Sequence, residues 1–207
     1  EICTVAVPHG HNTLANKLIW SDSMEIDPYK TEHQSPFYYK YVVFENSIIA
    51  KRYEKMGIVN KDQIKVLGSS RLCIEWVKKI RKIIPKVDMP NLPQDTLKIV
   101  FMLTKSKYNG FHEEVERSIR FISKFPNIYL MVKPHTRGMK FRVPFGKNVE
   151  IVDNDFHSPI LIDWADVVLF TMTSVIFDCL QMDKPTIYMK NTHTNKLLSE
   201  KYFDSWE

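Results

Sequence analysis

Short apolar runs separated by segments with apolar residues every three to four positions predict an α/β chain. Val167-Val168-Leu169-Phe170 and Ile128-Tyr129-Leu130-Met131-Val132 are continuous apolar stretches of the kind that parallel strands show when both faces are covered. Similar stretches over 2–7, 41–44, 64–67, 98–103, 149–152 and 186–189 predict further strands. Helices are expected over 47–56, 72–84, 113–125, 159–164 and 174–182. In the second of these Ile74, Val77, Ile80 and Ile84 fall at helical spacing, with Lys78, Lys79, Arg81 and Lys82 on the other face. Beyond residue 96 strands and helices alternate regularly, which predicts a doubly wound parallel sheet. Pro85, Pro90 and Pro93 interrupt both helix and sheet, so a boundary is placed in 85–95. The chain then divides into residues 1–95, a domain with its linker, and 96–207, a second domain. It opens on Glu1 and runs straight into an apolar stretch without a cap, which reads as entry partway into a domain.

Composition adds few constraints. With 207 residues, 44% hydrophobic and 26% charged, the chain has enough apolar material for a substantial core. Its net charge of +5, from 29 basic and 24 acidic residues, suits a phosphorylated ligand or an anionic membrane surface and is too weak to indicate nucleic acid. Cys3, Cys73 and Cys179 are far apart and odd in number, and are expected as reduced core residues. No signal peptide and no membrane-length apolar run is visible. The expected location is the cytoplasm, peripherally at the inner face of the membrane if the basic face of 78–86 is more than a solvated surface.

The chemistry gathers after two strands. Behind 167–170 come Thr171, Thr173 and Ser174, with Thr173 or Ser174 as the N-cap of the next helix, so that hydroxyls, free N–H groups and the positive end of the helix dipole face an anion. Behind 128–132 come Lys133, His135 and Arg137, where an open α/β sheet places its ligands. Lys105 and Lys107 follow the strand 98–103, and Lys105 is a further candidate for phosphate contact. Asp178 lies four residues after Ser174, on the same helical face. No acidic pair or triplet with metal-ligand spacing stands out.

His9-Gly10, Gly68-Ser69-Ser70-Arg71, Lys133-Pro134-His135-Thr136-Arg137, Ala165-Asp166-Val167-Val168 through Thr173-Ser174-Val175-Ile176-Phe177-Asp178, and Lys184-Pro185 together resemble the successive signatures of GT-B glycosyltransferase-like proteins. The resemblance is to the CDP-glycerol glycerophosphotransferase and surface-polysaccharide biosynthesis group. It implies two Rossmann-like domains, part of an acceptor-side one in 1–95 and a donor-binding one in 96–207, with no cofactor beyond the nucleotide-linked donor. His135 is thereby expected at the donor diphosphate, and Thr173 and Ser174 as the paired hydroxyls that hold it. Asp178 is expected at a ribose or glycerol hydroxyl. His9, or its neighbour His11, takes the place of the histidine that faces the acceptor and would act as general base. Arg71 is expected at the interdomain cleft or as a turn-closing residue. The chain departs from the pattern at Thr136, where the family has proline, and carries Pro134 instead.

The implied activity is metal-independent transfer of a glycosyl or glycerophosphate-type group from a nucleotide-diphosphate donor to a polysaccharide or lipid-linked hydroxyl acceptor. Two alternatives stand beside it. An epimerase of the UDP-N-acetylglucosamine type shares the architecture and needs acidic residues in the first domain, for which Glu45 and Asp22 are the candidates. A non-catalytic nucleotide-binding fragment is the other.

Overall fold

The computed structural model describes residues 2–7, 39–55, 59–104, 111–135, 141, 145–153, 156–171 and 173–192. They fall into two compact units, Glu1–Lys79 and Ile80–Glu207.

In the first unit, β1 (Val5–Ala6), β2 (Tyr41–Phe44) and β3 (Ile64–Val66) form a parallel sheet in that order. Helix α1 (Ser47–Lys55) connects β2 to β3, and the Asn46 carboxamide oxygen accepts the Ile49 N–H at 2.9 Å to cap its start. The inner face of the sheet buries Val42 and Phe44 with Ala50 and Val59, and Tyr53 meets Phe44 edge to face with centroids 5.1 Å apart. Gly68, after β3, has φ +83°, which a side chain would strain, and this explains the glycine that opens the Gly68-Ser69-Ser70-Arg71 turn. Helix α2 (Ile74–Ile83) follows.

The second unit contains β4 (Leu97–Met102), α3 (His112–Ile122), β5 (Ile128–Lys133), β6 (Val149–Ile151), α4 (Ser158–Trp164), β7 (Val167–Phe170), α5 (Val175–Gln181) and β8 (Thr186–Tyr188). Its five strands lie in the order β6-β5-β4-β7-β8, all parallel. Alternate residues of the central strands feed two cores. On one face Ile99, Phe101, Leu130, Val132 and Leu169 pack with Val115 and Ile119 of α3. On the other, Val100, Met102, Met131, Val168 and Phe170 pack with Leu161 and Ile162 of α4 and Ile176 and Cys179 of α5. Helices therefore cover both faces, which is why these strands read as continuous apolar runs. The α/β class and the doubly wound parallel sheet follow the sequence pattern, and the order of strands adds the point at which the winding reverses.

The cysteines divide. Cys179 is buried in the core, as expected, but Cys3 and Cys73 are exposed, because β1 and the turn before α2 present their short apolar stretches without covering them. Burial and the neighbouring Asp178 carboxylate push the Cys179 thiol up to about 12, against the opposing effect of its own backbone hydrogen bond and Lys184. Among the described residues no helix is long and apolar enough to cross a membrane.

Tyr129 on β5 donates its hydroxyl to Glu150 Oε2 on β6 at 2.9 Å. Burial, then that hydrogen bond and the carboxylate charge, push the phenol up to about 12. A pKa raised by folding favours the protonated phenol, so this contribution is complete below the ordinary value near 10 and disappears as pH climbs from there through the folded value. Urea midpoints should accordingly fall more steeply over that window in the native sequence than in Tyr129→Phe. Parallel pH profiles of the two proteins would refute the assignment.

Candidate functional site

The winding reverses between β4 and β7. The α3 connection leads from β4 to one side, and the α4 and α5 connections lie on the other face. In an open α/β sheet the crevice for a ligand forms outside the carboxyl ends of the strands at such a point. Here the two strands are tied by side chains at both ends. At the amino end Asp166 Oδ2 accepts the Lys98 N–H at 2.8 Å, and Oδ1 pairs with Lys98 Nζ at 3.3 Å. At the carboxyl end Thr171 Oγ1 accepts the Thr104 N–H at 3.1 Å in a buried bond. These contacts hold the register Ile99↔Val167 to Met102↔Phe170 and fix the two loops from which the crevice starts.

The expected site residues of the second unit that are described sit around this edge. Lys133 ends β5 and His135 lies two residues beyond, both half-buried. The Lys133 carbonyl accepts the Leu103 N–H at 3.0 Å, which binds the β5 exit to the β4 exit. Thr173 and Ser174 follow β7, half-buried and exposed respectively. Since β5 and β7 flank β4 and all three run in parallel, these residues leave the sheet at one edge, two strand steps or roughly 10 Å apart. Thr171 differs from its neighbours. It is only 2% exposed and its hydroxyl oxygen holds the β4 loop, so the structure gives it a scaffolding contact.

The start of α5 is less open than the sequence suggests. Ser174 is the N-cap but adopts a helical backbone, φ −67° and ψ −5°, and makes no side-chain cap bond. Thr173 supplies the cap in its place, its Oγ1 accepting the Val175 N–H at 3.4 Å, while the Ile176 and Phe177 N–H groups reach the Thr173 and Ser174 carbonyls at 3.4 and 3.2 Å. Three first-turn donors are thus engaged in long, weak bonds rather than free. Asp178 sits in the first turn of the helix, half-buried, beside the thiol of Cys179 that its charge perturbs.

Arg71 belongs to the first unit, exposed in the turn that follows Gly68. His9, His11, Lys105 and Arg137 lie outside the described residues. Among the described residues no group of three or more His, Cys, Asp or Glu side chains is arranged to hold a metal ion.

Three roles were not read from the sequence. Thr104 and Asp166 clamp the switch point, and the only sequence signal for them is a polar residue abutting a buried strand. Lys184 donates from Nζ to the carbonyls of Asp163 at 2.8 Å and Ala165 at 2.6 Å, so the lysine of Lys184-Pro185 closes the carboxyl end of α4, where a cation also meets the negative end of the helix dipole. His112, which has no partner recognisable in sequence, meets Glu116 Oε1 at 3.0 Å one helical turn on and stacks on Phe141 with centroids 5.4 Å apart.

No family model and no curated protein matches the chain. Seven solved chains do. One of them is a variant of the wall teichoic acid polymerase TagF soaked with CDPG, matched at 14% identity and a TM-score of 0.39 over 72% of this chain and 37% of that one. The chain therefore spans little more than a third of that protein's length, and a likeness at this level carries no residue role, donor or acceptor across to it.

Proposed function

We propose that this chain is the donor-binding part of a GT-B type transferase, moving a glycosyl or glycerophosphate-type group from a nucleotide-diphosphate donor to a hydroxyl of a growing surface polymer. The observation that carries the reading is the exit of Lys133, His135, Thr173 and Ser174 at one edge of a parallel sheet, beside the point where its winding reverses. The ordered motifs of the sequence support it as well.

In this reading the diphosphate lies across the β4 and β7 exits. Lys133, His135 and Arg137 face it from the β5 side and the hydroxyls of Thr173 and Ser174 from the β7 side, with Lys105 an additional cation. The acceptor oxygen attacks the transferred group as its bond to the nucleotide breaks. A protonated His135 stabilises the negative charge that grows on the departing nucleotide, and His9 or His11 receives the acceptor's proton. Asp178 accepts a hydrogen bond from a ribose or glycerol hydroxyl.

Thermal denaturation of the full chain with CDP-glycerol, CDP-ribitol, UDP-sugars and CMP-sugars tests this. A matching donor at about 100 times its Kd should stabilise by roughly 2.7 kcal/mol. His135→Gln should lower transfer about 100-fold. The absence of stabilisation by every nucleotide would sink the proposal, and epimerisation of UDP-N-acetylglucosamine without transfer would replace it.

A further inference from the structure

The connection 134–148 leaves β5 with His135, returns as β6, and is fastened to α3 by side chains. His112, Glu116 and Arg120 recur every fourth residue along one stripe of that helix. At the first of them the His112 ring lies over Phe141, with centroids 5.4 Å apart and planes 21° from parallel. At the last, the Arg120 guanidinium lies over Phe145, 5.1 Å from the ring centre. Glu116 steadies both, its Oε1 meeting His112 Nε2 at 3.0 Å and its Oε2 facing Arg120 at 3.9 Å. Phe141 and Phe145 meet edge to face at 5.7 Å, and both pack against the core under α3. Asn148 fastens the far end of the connection, donating from Nδ2 to the carbonyls of Phe125 and Ile128 at 3.1 and 2.9 Å. The two ring contacts sit at different heights. Helix α3 follows the exit of β4, so it starts at the carboxyl edge of the sheet and runs back to the amino edge, where β5 begins. The Phe111 N–H donates to the Thr192 carbonyl, beyond β8, at 3.0 Å and holds the start of α3 at that edge. His112 is the first residue of the helix, so it keeps Phe141 at the edge where Lys133 and His135 leave β5, while Arg120 keeps Phe145 about two turns lower.

We propose that His112 is a positioning residue of the donor site: by stacking on Phe141 it fixes where the connection beyond His135 meets α3, and so sets donor affinity without touching the reacting atoms. The inference rests on the donor reading above, because the residue it positions is the one assigned to the diphosphate. The ring carries the role. An exposed histidine–carboxylate pair one helical turn apart contributes little by itself, whereas a stacked pair of rings is directional and, with Phe141 half-buried against the core, is partly shielded from water. Phenylalanine at position 112 should therefore serve, and alanine should not.

Amide hydrogen exchange of the full chain, followed by mass spectrometry, reads the anchor without any nucleotide. Peptides covering 134–145 should exchange about tenfold faster or more in His112→Ala and in Phe141→Ala than in the parent, and within about twofold of it in His112→Phe. Peptides from β4 and β7 in the same digest should keep parental rates, which separates a lost anchor from a loosened fold. Donor titration and steady-state kinetics read the consequence. An anchored arrangement reduced to about a tenth of the population raises the apparent Kd and KM for the donor about tenfold. The kcat at saturating donor should stay within about twofold, because the donor once bound restores the arrangement, and His112→Phe should bring KM back. Parental exchange over 134–145 in His112→Ala, a general rise that includes β4 and β7, equal losses in His112→Phe and His112→Ala, or faster exchange with an unchanged donor KM each overturn the positioning role and leave the donor reading standing. A parent protein that binds no nucleotide defeats the donor reading itself, and the positioning role falls with it.

Discussion

Phe101→Ala should cost the second unit about 3–5 kcal/mol, the range for removing a fully enclosed aromatic ring. Phe101 is 0% exposed in the middle of β4, opposite Val132 of β5 and Leu169 of β7, and its ring lies in the core that α3 closes with Val115 and Ile119. No neighbour can collapse into the space, because the flanking strands are held by their own ladders and the interior is packed at crystal-like density. A loss of this size is a large fraction of the roughly 5–15 kcal/mol by which a domain is stable. Urea unfolding followed by circular dichroism would read it as a lower midpoint. Phe121→Ala, at a site 60% exposed on α3, should stay within about 1 kcal/mol. Similar midpoints for the two variants would mean that the sheet is not packed as described.

Thr171→Val and Thr173→Val should separate scaffold from ligand contact within one short loop. Valine matches threonine in shape, so Thr171→Val removes chiefly the acceptor at 3.1 Å from the Thr104 N–H, inside a region closed to water. A cost of about 1–3 kcal/mol is expected, because a buried donor that loses its acceptor is penalised by desolvation. The loops after β4 and β7 lose their tie, and donor affinity falls with stability. Thr173→Val exchanges a half-buried hydroxyl whose bond to the Val175 N–H is already long at 3.4 Å, so its stability should change by under about 1 kcal/mol. If the donor reading holds, its affinity for the nucleotide should still drop by about tenfold. Denaturation midpoints and nucleotide titrations on both variants check the pair. Stability lost in Thr173→Val but kept in Thr171→Val would reverse the assignment.

Most of the fold was legible because its signals are local. The run 167–170 is β7 to the residue, since a strand covered on both sides must be apolar throughout, and 41–44 is β2. The helix expected over 72–84 is α2, trimmed at both ends to Ile74–Ile83. Contacts distant in sequence stayed hidden. Nothing near Asp166 announces that its carboxylate will meet Lys98, and nothing near Lys184 announces the end of α4, because the first bond joins strands 68 residues apart and the second spans 19 residues across β7 and α5. The candidate site falls between these cases. Its residue types were readable after the strands, and their shared edge follows from the parallel winding. The split between Thr171 and Thr173 was not readable, as burial decides it and the two hydroxyls look alike in sequence. The cysteines make the same point: the apolar neighbours of Cys3 and Cys73 suggested a core that neither residue enters.

The placement of β4 at the middle of its sheet has a cost during synthesis. Ile99 finds its partner on one side in Leu130 of the next strand, but on the other side waits for Val167. A ribosome adding about 5–20 residues per second needs several seconds to deliver those 68 residues, far longer than the microseconds to milliseconds in which local collapse occurs. For that interval the nascent chain presents Ile99-Val100-Phe101-Met102 with one row of amides and carbonyls uncovered, an aggregation-prone edge that chaperones recognise.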